Sequence, residues 1–270
     1  MLQSDDTKAM KQKATQKEKE QPKIVLAIDT STKACVLGLF NAISGETKTA
    51  TEIVGRTHSE VILPKIIALL EECDLSLEDL DLIVFGKGPG SFTGLRIGVG
   101  VVQGLAFGLD IPVVGISSLA CLAQEVFRLE KKQHVIVALT ARLQEVYHGT
   151  YSESEGYMSL VGMEGVCDAS QMPQEDKRIA WVGIGSGWVL QPEIEAGVQV
   201  EVSQIYGDTY PNALDLLSLG INAYQQGHFV DALSAQPEYL RETVADLPNK
   251  VTTTISSTIS ATTSTTIPTK

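Results

Sequence analysis

The sequence predicts a mixed α/β fold in two related lobes. Three observations carry this expectation: three short strand-like segments joined by turns near the start, strand-like and helix-like segments alternating after them, and a looser return of that order in the second half. At 270 residues the chain can bury one large core or two small lobes. Its composition, 43% hydrophobic and 20% charged, is that of a globular protein with a packed core.

Residues 24–29 and 34–40 are apolar runs separated by the turn-like Thr30-Ser31-Thr32-Lys33, and residues 47–54 supply a third strand. Short turns between the three imply an antiparallel meander. Residues 59–73 place Ile62, Ile66, Ile67, Leu69 and Leu70 at helical spacing. A buried strand over 82–85 enters a glycine-rich turn, and a helix over 91–109 and a strand over 112–116 follow. The order β-β-β-α-β-α-β is the opening of the ribonuclease-H-like fold used by actin-like ATPases. The second half offers a helix over 118–129, strands over 134–139, 145–151 and 157–167, and a further strand ending in Gly183-Ile184-Gly185-Ser186-Gly187. A helix over 211–226 is expected to close the second lobe. The domains are therefore expected at 23–117 and 118–247, with a cleft between them. Residues 1–22, where Lys8, Lys11, Lys13, Lys17 and Lys19 alternate with polar residues, read as a disordered solvated extension, with a basic arm for RNA as the alternative. Residues 248–270 are nearly all Ser, Thr, Ile and Ala and read as a disordered tail.

Charge narrows the function. Nucleic-acid affinity comes largely from Lys and Arg neutralising phosphates, and a chain of formal net charge −12 is a poor candidate for gripping RNA alone. RNA would be reached through a basic partner. Cys35, Cys73, Cys121 and Cys167 form no C-x-x-C pair, which argues against a zinc ribbon or redox motif and fits free thiols in the cytoplasm. The first twenty residues contain no apolar stretch of a secretory leader. Residues 97–116 are apolar enough to suggest a membrane span, but Gln103, Asp110, Pro112 and five glycines fit a helix followed by a short strand better. No membrane association is expected. His58, His134, His148 and His228 form neither H-x-x-x-H nor H-E-x-x-H, and no G-x-S-x-G elbow occurs. His58 reads as a helix-start residue rather than a base.

Two segments could carry a ligand. Lys87-Gly88-Pro89-Gly90-Ser91-Phe92-Thr93-Gly94-Leu95-Arg96 lies between a strand and a helix. Glycines there allow close backbone approach, a helix start attracts anions, and Ser91 or Thr93 can cap it. It lacks the Gly-Lys-Ser/Thr of a P-loop, so a tight turn explains it as well as a phosphate cradle does. In Ile28-Asp29-Thr30-Ser31-Thr32, the acidic end of the first strand could face nucleotide phosphates and magnesium, or could simply support a hairpin turn. The candidate nucleotide or anion cleft is thus Asp29, Thr30, Gly88, Gly90, Ser91 and Gly94. In the following helix Gly100, Gly104 and Gly108 form a glycine row of period four, and Gly90, Gly94 and Gly98 form a second row that begins in the loop. Each helix glycine costs roughly 1 kcal/mol against alanine, so each row should answer to close packing. One row can pack internally and the other can receive a partner helix. With the helix over 59–73 alongside, the candidate interface is Ile62, Ile66, Leu69, Gly100, Gly104 and Gly108.

Ile24-Val25-Leu26-Ala27-Ile28-Asp29-Thr30-Ser31, Arg56-Thr57-His58-Ser59 and the block from Gly88 to Gly98 together resemble the TsaB (YeaZ) family. The likeness continues through Gly115-Ile116-Ser117-Ser118-Leu119, Glu145-Val146-Tyr147 and Pro237-Glu238-Tyr239-Leu240-Arg241, and covers about residues 23–246. The resemblance implies a non-catalytic paralogue of the tRNA threonylcarbamoyltransferase TsaD. That relative holds its metal with H-x-x-x-H, and the aligned positions here are Ser118 and Leu122, so no metal or catalytic residue is expected. It further implies a scaffold that pairs through its two N-lobe helices with the catalytic paralogue, joined by a small TsaE-like ATPase. The complex would place threonylcarbamoyl on the adenosine 3′ of the anticodon in tRNAs reading codons that begin with A. This chain would require no cofactor itself, while ATP and magnesium would serve the complex. Where the family usually reads Asp-Ala-Arg, this chain has Thr140-Ala141-Arg142 and so lacks a carboxylate. The competing readings are a nucleotide-hydrolysing enzyme of the same fold, a peptidase using Ser91 or Ser118, and a homodimer through the same helical face.

Overall fold

The computed structural model of the chain describes residues 21–240 apart from residue 208. The expectations for residues 1–20 and 248–270 lie outside the described residues. Five strands form the first sheet: β1 (Ile24–Asp29), β2 (Ala34–Asn41), β3 (Glu46–Ile53), β4 (Leu82–Gly88) and β5 (Val113–Ser117), in the order β3-β2-β1-β4-β5. The first three form the expected antiparallel meander, and β4 and β5 join it in parallel. The second sheet contains β6 (His134–Arg142), β7 (Glu145–Ser154), β8 (Tyr157–Asp168), β9 (Val182–Ile184) and β10 (Ile205–Tyr206), in the order β10-β9-β6-β7-β8. Read from its other edge, it has the topology of the first sheet, antiparallel over β6-β7-β8 and parallel over β6-β9-β10. The second half is therefore a closer repeat of the first than its amino-acid pattern shows.

Helices α1 (His58–Glu71) and α2 (Phe92–Leu109) cover one face of the first sheet. Strand alternation sends Leu26, Ile28, Leu37, Leu39, Ile83 and Phe85 to that face, and Val25, Ala27, Leu82 and Val84 to the other. Helix α3 (Ser118–Glu130), capped by Ser117 Oγ accepting from Leu119 N at 3.1 Å, packs Leu119, Leu122, Ala123 and Val126 onto the second sheet. A short α4 (Gln191–Val198), absent from the sequence expectation as is β10, covers that sheet's other face with Ile194 and Val198.

The last helix, α5 (Ala213–Gln225), corrects the expected lobe boundary. It does not close the second lobe. Leu216, Leu217 and Leu219 pack on Val25, Ala27, Leu82 and Val84 of the first sheet, and a Cβ at Gly220 would lie 2.3 Å from Val84 Cγ1. The cause is the parallel β1-β4-β5 segment, which is apolar on both faces and needs cover on both. Buried Asp215 holds the arrangement by accepting from Arg128 of α3 at 2.8 Å to each carboxylate oxygen. The first lobe is thus discontinuous in sequence.

Candidate functional site

The glycine loop and the first turn do come together, by direct packing. Ser91 Oγ caps α2 by accepting from Gly94 N at 3.2 Å, and Ser91 N donates to Ser31 O at 2.7 Å. Thr30 Oγ1 donates to Gly94 O at 2.8 Å. A Cβ at Gly90 would stand 2.3 Å from Ser31 O, one at Gly94 2.1 Å from Thr30 O, and one at Gly98 2.4 Å from Thr30 Oγ1. The glycines of this row let the β1–β2 turn pack directly against the loop and the start of α2. Gly88 lies beside Leu95 and the carbonyl of Glu238.

Asp29 is buried under that turn. Its Oδ1 accepts from Ser31 N at 2.8 Å and Ser31 Oγ at 2.7 Å. Its Oδ2 has no hydrogen-bond partner among the described residues and lies so close to Gly86 that a Cβ there would be 1.8 Å away. Burial pushes the carboxyl up to about 6, against the lowering effect of Ser31 and of His58. His58 is itself buried, with Nε2 3.2 Å from Ala34 O, as befits a helix-start residue in a core.

The other glycine row is open. No atom lies within 4 Å of a Cβ built at Gly100, Gly104 or Gly108. Gly100 and Gly104 form part of one wall of a shallow groove of about 480 Å³ between α1 and α2, lined also by Ser59, Ile62, Leu63, Arg96, Ile97, Val101 and Leu105; Gly108 lies beyond it. The α1 residues expected there, Ile62, Ile66 and Leu69, are 1%, 0% and 3% exposed and belong to the core on the first sheet; Ile62 also reaches the floor of the groove, while Ile66 and Leu69 are not among its lining residues. The helical stripe identified the inward face, as an amphipathic stripe ordinarily does. The exposed large apolar residues are Leu63 and Ile67 on α1 and Phe92 and Phe107 on α2. Among the described residues, α2 alone is long and apolar enough to cross a membrane.

A second cavity, about 240 Å³, lies between the lobes. Pro89, Gly90, Phe92 and Leu95 line it from the first lobe, Ala141, Arg142 and Tyr147 from the second, and Glu238, Tyr239 and Leu240 from the end of the described chain. Thr140, exposed at the end of β6, donates its N–H to Ser186 Oγ at 3.1 Å. Nearby, Ser117, Tyr151 and Glu164 form a buried polar cluster that sequence reading missed. The Tyr151 hydroxyl bonds the Glu164 carboxyl, and burial raises both groups above their ordinary values. Their separation along the chain, with no motif linking them, left no signal. Ser118 and Leu122 are fully buried, and Ser118 Oγ has no partner among the described residues. Among those residues no group of three or more His, Cys, Asp or Glu is arranged to hold a metal ion.

A family model described as "TsaD: tRNA N6-adenosine threonylcarbamoyltransferase" matches residues 42–178. The chain is 37% identical over 230 residues to the tRNA threonylcarbamoyladenosine biosynthesis protein TsaB of Haemophilus influenzae, covering 82% of this chain and 94% of that protein. It is 35% identical over 233 residues to the protein of the same name from Escherichia coli, covering 84% and 99%. Among solved structures, YeaZ from Pseudomonas aeruginosa superposes with a TM-score of 0.74 at 38% identity, covering 80% of this chain and 99% of that one.

Proposed function

The chain belongs to the TsaB (YeaZ) family, and on that premise we propose that its α1–α2 groove is the face by which it docks the catalytic paralogue. The protein is a non-catalytic accessory subunit of the machinery that makes threonylcarbamoyladenosine in tRNA. The positions aligned with the catalytic relative's metal-binding histidines are Ser118 and Leu122, which lie in the core and offer no imidazole. The complex acts on the adenosine 3′ of the anticodon in tRNAs reading codons that begin with A. ATP and magnesium serve the complex, at the catalytic subunit and a small ATPase. With a net charge of −12, the chain meets tRNA through its partners, in the cytoplasm.

One observation carries the docking assignment: two glycine rows on one helix and the loop leading into it, of which the first is filled by Thr30 and Ser31 and the second faces open space. A row of small residues lets a second helix approach closely, and Leu63, Ile67 and Phe107 extend the apolar surface around it. This also assigns the apolar character of α2 to a protein interface rather than a bilayer. The same surface can pair two copies of the chain, the second reading of the groove. The test is light scattering after size-exclusion chromatography, on the chain mixed with the purified catalytic paralogue. Gly104→Leu is expected to abolish the complex while leaving the circular dichroism and thermal midpoint of the isolated chain near those of the parent. A Gly104→Leu protein that binds normally overturns the assignment.

A further inference from the structure

After α5 the chain turns back across the first lobe. Val230 bridges Val113 of β5, and Gln103 of α2 donates to Ala235 O at 2.8 Å. The chain then runs along the interlobe cavity, which Glu238, Tyr239 and Leu240 help to line. Glu238 N donates to Lys87 O at 2.8 Å, and the Glu238 carboxylate meets Lys87 Nζ at 2.6 Å. Tyr239 lies against Phe92 with ring centroids 5.5 Å apart, and its hydroxyl accepts from Arg96 Nε at 3.0 Å. Tyr239 and Leu240 share the cavity wall with Ala141, Arg142 and Tyr147 of the second lobe. Residues 235–240 are therefore a strap, fastened to the first lobe and forming part of the wall of the cavity it shares with the second.

Arg96 joins this strap to the groove. Its guanidinium carbon is 3.9 Å from the Phe92 ring centroid and its Nε bonds Tyr239, while the same side chain lines the α1–α2 groove beside Ile97 and Gly100. Phe92 and Tyr239 are 41% and 43% exposed, so the stack is held by its own contacts and not by a surrounding core. A long side chain that is already pinned loses less freedom when a partner covers it than one that is free.

We propose that the strap and the groove are coupled through Arg96. The docked strap sets Arg96 in the orientation that a partner in the groove requires, and an occupied groove in turn holds the strap in place along the interlobe cavity. Because a coupling between two sites is reciprocal in free energy, whatever tightens one tightens the other. This rests on the groove being the face that docks the catalytic paralogue, and adds to it a route by which docking on α2 is felt at a cavity on the far side of Arg96.

The test is a double-mutant cycle on affinity for the purified catalytic paralogue, with hydrogen exchange at the Glu238 amide as a second readout on the unaltered chain. Tyr239→Ala is expected to weaken the complex roughly three- to tenfold, and Arg96→Ala at least as much. In the Arg96→Ala background, Tyr239→Ala should add nothing further. Tyr239→Phe, which keeps the stack and loses the hydrogen bond, should fall between. In the unaltered protein, complex formation should slow exchange at Glu238. A complex that forms normally but leaves that exchange unchanged, or Tyr239→Ala and Arg96→Ala effects that simply add, overturns the coupling and leaves the docking face standing. Absence of any complex overturns the docking face and the coupling with it.

Discussion

Helix α2 and the loop leading into it carry two glycine rows of the same spacing and opposite surroundings. Gly90, Gly94 and Gly98 lie under the β1–β2 turn, within 2.1 to 2.4 Å, measured from a built Cβ, of an oxygen of Thr30 or Ser31. Gly100, Gly104 and Gly108 meet no atom within 4 Å. Every glycine inside the helix weakens it by roughly 1 kcal/mol relative to alanine. In the first row the loss is offset by backbone packing and by the Thr30–Gly94 and Ser91–Ser31 hydrogen bonds. In the second row nothing among the described residues offsets it. That difference supports a partner for the open row, and it can be tested by placing one small side chain in each.

The largest effect is expected at the closed row. A methyl group at Gly94 would lie 2.1 Å from Thr30 O, which is backbone and fixed by the β1–β2 turn, so the helix or the turn must move. Gly94→Ala should cost about 3 kcal/mol, at the upper end for overpacking a fixed site. The thermal midpoint should fall by roughly 6 to 12 °C for a chain of this size. A midpoint within a degree or two of the parent would mean that the turn yields, and the closed row would lose its claim to be structural.

A somewhat smaller effect should come from the carboxyl that the closed row buries. Asp29 is raised from 3.8 to about 6, chiefly by burial. The folded state therefore holds this proton to higher pH than the unfolded chain does. Its contribution to stability is fully present below pH 4 and is lost as pH rises from about 4 through about 6. The slope approaches 1.4 kcal/mol per pH unit in that window, about 2 to 3 kcal/mol in all. Burial also raises Glu125, Glu164, Glu175 and Asp215, which act with the same sign, so only a difference isolates Asp29. Urea midpoints of the parent and Asp29→Asn, measured from pH 4 to 7.5, should show the parent losing ground to the variant as pH rises and then running parallel above about 6.5. Parallel curves throughout would show that Asp29 is not buried as a charge.

These comparisons also show what the residues disclosed in advance. Strands such as Ile24–Asp29 and Val113–Ser117 announced themselves by apolar runs, because strands buried on both faces have no polar alternation to confuse them. The destination of α5 was not visible. Leu216, Leu217 and Leu219 define an apolar face, but an amphipathic pattern names no sheet to receive it. The two-residue β10 and eight-residue α4 are too short for any period to emerge. At the site, the meeting of the Asp29 turn with the Gly90–Gly94 loop was legible from their places at the ends of β1 and β4. That they fill each other's space was not, since glycine admits a ligand and a neighbouring carbonyl equally. Ile66 and Leu69 face the core for a related reason: periodicity finds the stripe that packs inward, and it counted the exposed Ile67 in that stripe while passing over the exposed Leu63.

The smallest effect is the most discriminating, because stability and binding should move in opposite directions. Gly104 sits in regular helix with open space beyond it, so Gly104→Ala adds a better helix former without a clash. The isolated chain should gain about 0.5 to 1 kcal/mol, raising its thermal midpoint by roughly 1 to 4 °C. The added methyl also stands on the groove wall where a partner helix would come closest, so affinity for the catalytic paralogue should fall even as the chain becomes more stable. A row kept as glycine against the helix's own preference is the pattern expected when function, and not folding, retains it. Loss of stability in Gly104→Ala would place an unseen internal neighbour against the open row. A gain in stability with unchanged affinity would leave the row without a reason to be glycine, and would move the docking face elsewhere on the molecule.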